Sequence, residues 1–134
     1  MVQMTDEIIE AIGKMKNFPL ATASKDGIPN VAPMGAYRVK DSETIWIQDN
    51  FMQKTLANVE ENPKAAVYIY GDGAKGCYQI KADVTIVKSG PELDEMKAYT
   101  EERKPGLPGK GLLILKVTGV FQCMPGAEAG NQLI

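Results

Sequence analysis

The chain has 134 residues, which is enough for one domain with its own hydrophobic core. Hydrophobic residues make up 44% and charged residues 24%, the net charge is −2, and the two signs are interspersed, so we expect a soluble globular protein that does not bind nucleic acid. The N-terminus lacks a signal pattern and no apolar run approaches the about 18 residues of a membrane helix, so we predict a cytoplasmic protein that makes no membrane contact.

The histidine and cysteine contents narrow the chemistry further. The chain has no histidine, which removes the usual nucleophile–base pairs and the commonest zinc ligand. Cys77 and Cys123 lack CxxC spacing, and two reduced structural thiols are favoured over a disulfide. We therefore predict no catalytic side chain and no metal site, and expect any chemistry to be carried by a bound cofactor.

An amphipathic helix is predicted at the N-terminus, within residues 1–17. Thr5 can cap it, and acidic residues at the first turn suit the positive end of the helix dipole. Its apolar stripe is formed by Ile8, Ile9, Ile12 and Met15. We interpret this helix as a cover for one end of a sheet.

An irregular strand follows the first hairpin. Leu20 to Ser24 is predicted to be a strand and Lys25-Asp26-Gly27 a turn, and the next run is PNVAPMGAYRV. Pro33 cannot donate to a strand ladder and Gly35 has no side chain to pack, so this run is predicted to be an edge or bulged strand. It is either simply a kinked edge strand or one whose free backbone groups meet a flat heteroaromatic ligand.

The segment from Asp49 to Tyr70 contains the candidate phosphate site. It follows a half-buried strand, Thr44 to Gln48, whose Trp46 is interpreted as a packing residue. Lys54 and Thr55 fall in the first turn of a predicted helix, where unpaired N–H groups and the helix dipole favour an anion. The alternative is a surface helix with a solvated lysine.

The second half of the chain adds strands and a third helix. Strands are predicted at Ala65 to Tyr70, at Cys77 to Val87 and from Gly111 to Cys123, with a helix ending near Arg103. The intervening Gly71–Gly76 connection joins two strands, so it is not a dinucleotide-binding loop. The tail, residues 124–134, has little apolar content and is expected to pack on a partner chain. In total, six antiparallel strands with flanking helices predict a small barrel, because closure removes exposed edges.

Three stretches in this order carry a resemblance to a known family. They are LATASKDGIPNVAPM, IWIQDNFMQKTLANVEENPKAAVYIY and CYQIKADVTI. The set resembles the FMN-binding split-barrel superfamily, which includes pyridoxamine 5'-phosphate oxidase, and is most similar to its small FMN-binding electron-transfer proteins. The resemblance implies one mainly β domain over residues 1–134, a six-stranded antiparallel split β-barrel, and a homodimer with FMN in clefts at the subunit interface.

The resemblance also implies the residues that contact FMN. Lys54 and Thr55, with Gln53 beside them, match the residues that hold the phosphate. Ala32, Pro33 and Met34 match the strand that lines the ring, Gln48 and Asp49 match the strand end near the ribityl chain and phosphate, and Gln79 matches a glutamine that reaches the flavin in the oxidases.

Departures from the family pattern bear on the reaction. The oxidases have an arginine and a lysine flanking an apolar run on the ring-lining strand, where this chain has NVAPMG, and they use basic and histidine groups to hold the substrate phosphate. The resemblance therefore implies an FMN redox protein, either a flavin reductase or an electron carrier served by a nicotinamide or protein donor, rather than a vitamin B6 oxidase. The alternatives are a non-catalytic module of the same fold that holds a deazaflavin or haem, and a flavin-free interaction barrel.

Overall fold

The computed structural model describes residues 2–134, which form seven strands and three helices. In chain order these elements are α1 (Asp6–Gly13), β1 (Phe18–Ala23), β2 (Pro29–Met34), β3 (Tyr37–Asp41), β4 (Thr44–Asp49), α2 (Lys54–Glu61), β5 (Lys64–Ile69), β6 (Tyr78–Val87), α3 (Pro91–Arg103) and β7 (Gly111–Gln122).

The strands form one antiparallel sheet in the order β2-β1-β5-β6-β7-β4-β3. The sheet curls strongly, since the ring centroids of Phe18 on β1 and Tyr37 on β3 lie only 4.6 Å apart although these strands are near opposite edges. The predicted antiparallel split barrel is therefore confirmed, with one strand more than the sequence indicates.

The additional strand comes from the run PNVAPMGAYRV, which we predicted to be one irregular strand. The chain breaks at Gly35 and Ala36, a corner that we call the β2–β3 break. The carbonyl oxygen of Gly35 accepts from Nζ of Lys104 (3.0 Å), and that of Ala36 accepts from the backbone N–H of Gln48 (2.8 Å). The corner separates two strands that lie at opposite edges of the sheet.

Two apolar clusters hold the sheet in shape. The larger one fills the inside of the curl, and its fully buried members include Phe18, Leu20, Ile47 and Ile80. The smaller one lies on the outer face, where Trp46 packs with Leu93 and Met96 of α3 and Leu112 of β7. Trp46 is only 3% exposed, which confirms its predicted packing role.

Strand β7 exchanges one neighbour halfway along its length. Its first half pairs with β4 and its second half is bordered on that side by the chain's own tail. The backbone N–H of Gln122 donates to Asn131 (2.8 Å), and that of Leu133 donates to Val120 (2.8 Å). The tail, for which a partner contact was expected, thus covers an open edge within the same chain.

Helix α1 closes one end of the curl. Oγ1 of Thr5 accepts from the backbone N–H of Ile8 (3.4 Å), which confirms the predicted cap. Beyond the helix, the Tyr37 hydroxyl lies 2.7 Å from the carbonyl oxygen of Ile12 and 2.5 Å from that of Met15. Because burial, followed by the charges of Tyr99 and Asp72, opposes ionisation, the pKa of Tyr37 is raised to about 12. Within residues 2–134, no helix combines the length and the apolar character that a membrane crossing requires.

The raised pKa of Tyr37 predicts an alkaline loss of stability. The phenol stays neutral in the folded state up to about pH 12 but ionises near its ordinary pKa of 10.0 when unfolded, so its contribution is complete below pH 10 and is lost between pH 10 and 12. We expect Tyr37→Phe to lower the free energy of unfolding by roughly 1 kcal/mol at pH 7 and to flatten its decline above pH 10. Urea unfolding at stepped pH measures both effects, with the exposed Tyr70→Phe as control. Identical pH slopes for wild type and Tyr37→Phe would contradict this role.

Candidate functional site

A cleft of about 560 Å³ opens where the barrel is split. We use "the cleft" for the space enclosed by β2 with the β2–β3 break, the loop and first helical turn at residues 48–55, and the loop that follows α3. Its lining residues are Asn30, Ala32, Pro33, Met34, Gly35, Ala36, Gln48, Asn50, Phe51, Met52, Gln53, Lys54, Thr55, Lys104 and Leu107. One side is therefore largely apolar, and the other presents amide, hydroxyl and ammonium groups.

The first turn of α2 is the cationic end of the cleft. The first bond of the helix runs from the N–H of Ala57 to the carbonyl of Gln53 (3.0 Å), and Gln53 offers no side-chain cap, so the amides of residues 54–56 lack helical partners. Lys54 is exposed and has no carboxylate within ion-pair distance among residues 2–134. Unpaired amides, the dipole and a free ammonium together suit a phosphate group.

Thr55 is fixed in place by a part-buried polar network. Its Oγ1 accepts from Nδ2 of Asn30 on β2 (3.1 Å), and that amide group also donates to Oγ1 of Thr22 (3.3 Å). Asn58 of α2 donates to the same Thr22 oxygen (3.0 Å). Since Oγ1 of Thr55 acts as an acceptor here, its own proton stays available to a ligand in the cleft.

A second network shapes the floor of the cleft. Oδ1 of Asn50 accepts from the backbone N–H of Gly109 (2.9 Å) and from Nε2 of Gln48 (2.8 Å). The N–H of Gly109 is a donor, so the Asn50 atom that faces it must be the amide oxygen, Oδ1. The Gln48 atom that contacts this same oxygen must then be the amide nitrogen, Nε2. Oε1 of Gln48 is consequently buried with no partner among the described residues. This acceptor makes Gln48 a cleft residue with unused hydrogen-bonding capacity.

Most residues predicted to bind FMN come together in the cleft. Seven of the nine line it: Ala32, Pro33, Met34, Gln48, Gln53, Lys54 and Thr55. Asp49 lies beneath the lining, 3% exposed, where its carboxylate accepts from the N–H of Met52 (3.0 Å) and holds the loop turn. Gln79 alternates with the core-facing Ile80 on β6, so it lies on the outer face of the sheet, away from this cleft.

Sequence reasoning missed several lining residues. Asn30 shares its face of β2 with Ala32 and Met34 at period two, so alternation along the strand could have found it. Lys104 and Leu107 come from the loop after α3, far along the chain from α2, and no local sequence pattern indicates that they reach the cleft. The structure places Lys104 in the wall of the cleft.

The chain belongs to the pyridoxamine 5'-phosphate oxidase family, whose model matches residues 4–124. This match and the fold confirm the predicted membership of the FMN-binding split-barrel superfamily. A relative with 38% identity over 137 residues, covering 98% of this chain and 88% of its own, is an uncharacterized protein of Methanocaldococcus jannaschii.

Solved structures share the same fold. HupZ of Group A Streptococcus superposes with a TM-score of 0.80 at 25% identity, over 97% of this chain and all of its own. An FMN-binding protein of Syntrophomonas wolfei gives 0.74 at 18% identity, over 86% and 85% of the two chains. The haem storage protein HutZ of Vibrio cholerae gives 0.69 at 22% identity, over 90% and 95%.

The Asn50 network predicts a measurable link between the two loops of the cleft. Asn50→Ala leaves the N–H of Gly109 and Nε2 of Gln48 without an acceptor, so we expect a loss of about 1–3 kcal/mol in the free energy of unfolding. Amide hydrogen exchange at Gly109 should also become faster. The exposed Gln53→Ala, on the same loop, is the matched control. Unchanged exchange at Gly109 in Asn50→Ala would show that this bond does not hold the loop.

Proposed function

We propose that this protein is an FMN-binding redox protein, a flavin reductase or an electron-transfer protein, that holds the flavin non-covalently in the cleft. The observation that carries the proposal is the first turn of α2, where uncapped amides, the hydroxyl of Thr55 and a Lys54 without a carboxylate partner in residues 2–134 lie at one end of a largely apolar cleft. An anionic group at one end and a flat apolar body at the other is the chemistry of a flavin mononucleotide.

The rest of the cleft suits the ring and its linker. Its volume, about 560 Å³, falls within the range that small-molecule and cofactor sites occupy. Ala32 and Met34 lie on β2, which has a strand neighbour on one side only, so backbone groups on its open side can meet the polar edge of a ring. Gln48 can supply an additional acceptor near the middle of the cleft.

The side chains have binding and shielding roles in this proposal. Bound FMN would supply the capacity to accept and release electrons or a hydride. Lys54 and Thr55 would hold the phosphate, Gln53 would flank it, and Ala32, Pro33 and Met34 would keep water from the ring. No residue is assigned as a general acid or base, and the donor is a nicotinamide or a protein. Steady oxidation of NADH or NADPH by the FMN-loaded protein would distinguish a reductase from a carrier.

A homodimer completes this proposal. Three large apolar side chains beside the cleft are strongly exposed in the single chain: Ile28 (67%), Val31 (66%) and Phe51 (73%). Burying them against a second copy would remove apolar surface from water and cover the open edge of β2. Because Gln79 lies on the outer face of the sheet, it could reach a flavin only in the cleft of a second copy. Asp49 would act indirectly, by holding the loop at residues 49–52.

We do not propose vitamin B6 oxidation for this protein, although its family is named after that reaction. The segment NVAPMG stands where the oxidases have basic residues flanking the ring-lining strand, and histidine is absent. A binding module for a deazaflavin or for haem is the second candidate, favoured by the structural likeness to a haem storage protein. Haem would need a ligand other than histidine. Absorbance titrations with FMN and with hemin separate these candidates, and failure to take up FMN would remove the leading one.

Lys54 gives the sharpest test of the phosphate site. We expect Lys54→Ala to weaken FMN binding by several-fold to about a hundredfold, because a charge-assisted contact contributes roughly 1.5–3 kcal/mol and Lys54 is partly screened by solvent. Quenching of flavin fluorescence on titration measures the affinity. Lys64→Ala, which removes an exposed lysine at the start of β5 that pairs with Asp83 outside the cleft, should bind FMN as wild type does. Equal affinities for Lys54→Ala and wild type would exclude Lys54 from the site.

The dimer proposal predicts a salt-insensitive association through the β2 edge. Sedimentation velocity should show a dimer for wild type and a shift toward monomer for Val31→Lys, because a lysine at this position would place charge in an apolar interface. Lys25→Ala, on the neighbouring hairpin, should remain dimeric. A wild-type monomer that retains bound FMN would refute the interface cleft.

A further inference from the structure

The two cysteines, far apart in sequence, face each other across the β6–β7 ladder. Tyr78 pairs with Gln122 and Gln79 with Phe121, and continuing this register by one residue pairs Cys77 with Cys123. The backbone N–H of Cys123 donates to the carbonyl of Cys77 (2.9 Å), so the pairing extends to these residues. Directly opposed residues in antiparallel strands have Cα atoms about 4.5–5.5 Å apart, which falls within the range that a disulfide spans.

The two thiols differ in their surroundings. Cys77 is 2% exposed, and its thiol donates to the hydroxyl oxygen of Tyr68 (3.7 Å). Cys123 is half-buried at the end of β7, and both cysteines are reduced in this structure. Burial, followed by the neighbouring Cys77 thiol, raises the pKa of Cys123, so the Cys123 thiol attacks more slowly at neutral pH than an ordinary cysteine does. The accessible thiol is thus the entry point and the buried one completes the reaction.

We propose that Cys77 and Cys123 form a reversible intramolecular disulfide by exchange with a low-molecular-weight disulfide, RSSR. The Cys123 thiolate attacks one sulfur of RSSR, which forms a mixed disulfide and releases the first RSH. The Cys77 thiolate then attacks the Cys123 sulfur, which forms the Cys77–Cys123 bond and releases the second RSH. Two electrons and two protons pass from the protein thiols to the reagent, which balances the reaction.

This cross-link would fix one end of the molecule. Cys77 follows the Gly71–Gly76 connection, and Cys123 begins the tail that returns along β7. The bond would therefore link the end of the glycine-rich connection to the start of the C-terminal tail. The pair lies at the end of β7 opposite to Gly111, which borders Asp49, so it is remote from the cleft of its own chain, and the disulfide requires no bound flavin.

The test uses the full-length protein, with and without FMN, equilibrated in glutathione buffers of increasing oxidised fraction. Alkylation followed by mass spectrometry should show loss of both free thiols together, with no retained glutathione. On a non-reducing gel the oxidised protein should run as a single chain, because the disulfide is intramolecular. Its melting temperature should rise by roughly 5–15 °C.

Single variants distinguish formation of the Cys77–Cys123 disulfide from simple addition of glutathione to an exposed cysteine. Cys77→Ser should accumulate glutathione on Cys123, and Cys123→Ser should leave Cys77 unmodified under native conditions; Cys→Ala versions serve if either serine variant fails to fold. Wild-type protein that keeps both thiols alkylatable at the most oxidising ratio would overturn the proposal. So would wild type that retains glutathione as persistently as Cys77→Ser, or oxidation that occurs only at urea concentrations that unfold the protein.

Discussion

The β2–β3 break at Gly35 and Ala36 is the constraint on which the site depends. Two strands that are consecutive in the chain lie at opposite edges of one sheet, so the sheet must curl for a two-residue connection to join them. A Cβ built at Gly35 would lie 2.7 Å from Nζ of Lys104, so a side chain there would displace the ammonium whose bond to the Gly35 carbonyl anchors the loop after α3. The corner thus keeps the barrel open at the cleft and ties the loop after α3 to the edge of this opening.

The chemical asymmetry of the cleft follows from this geometry. Strand β2 contributes small and apolar groups along an open edge, whereas the chain leaving β4 turns at Asp49 and starts α2 with its amides toward the cleft. The Asn30–Thr22–Asn58 contacts then fix the two walls relative to each other. The site is accordingly held by hydrogen bonds between elements, most of them buried or part-buried, with little contribution from exposed ion pairs.

The sequence predicted those parts of the fold and site that depend on local patterns. The helix cap at Thr5, the packing role of Trp46 and the antiparallel class are confirmed, since alternation and capping residues report directly on local structure. The break at Gly35 was missed, because an irregular run with proline and glycine reads equally as one bulged strand or as two strands around a corner.

The remaining site residues depend on contacts between segments far apart in the chain. Lys104 and Leu107 reach the cleft only because the loop after α3 is tied to Gly35 and Asn50, and neither bond has a local sequence signal. The outward position of Gln79 follows from register in the folded sheet. A sequence match can identify Gln79 as a flavin-contacting residue, but it does not show whether Gln79 belongs to the cleft of its own chain or to that of a second copy.

A phosphate site at the first turn of α2 is tested most directly by comparing FMN with riboflavin, which has the same ring and ribityl chain but no phosphate. Isothermal titration of the wild-type protein with each ligand measures what the first turn of α2 contributes to binding. We predict that FMN binds at least about tenfold more tightly than riboflavin and that added phosphate competes with FMN. Equal affinities for the two flavins would contradict a phosphate site at Lys54 and Thr55.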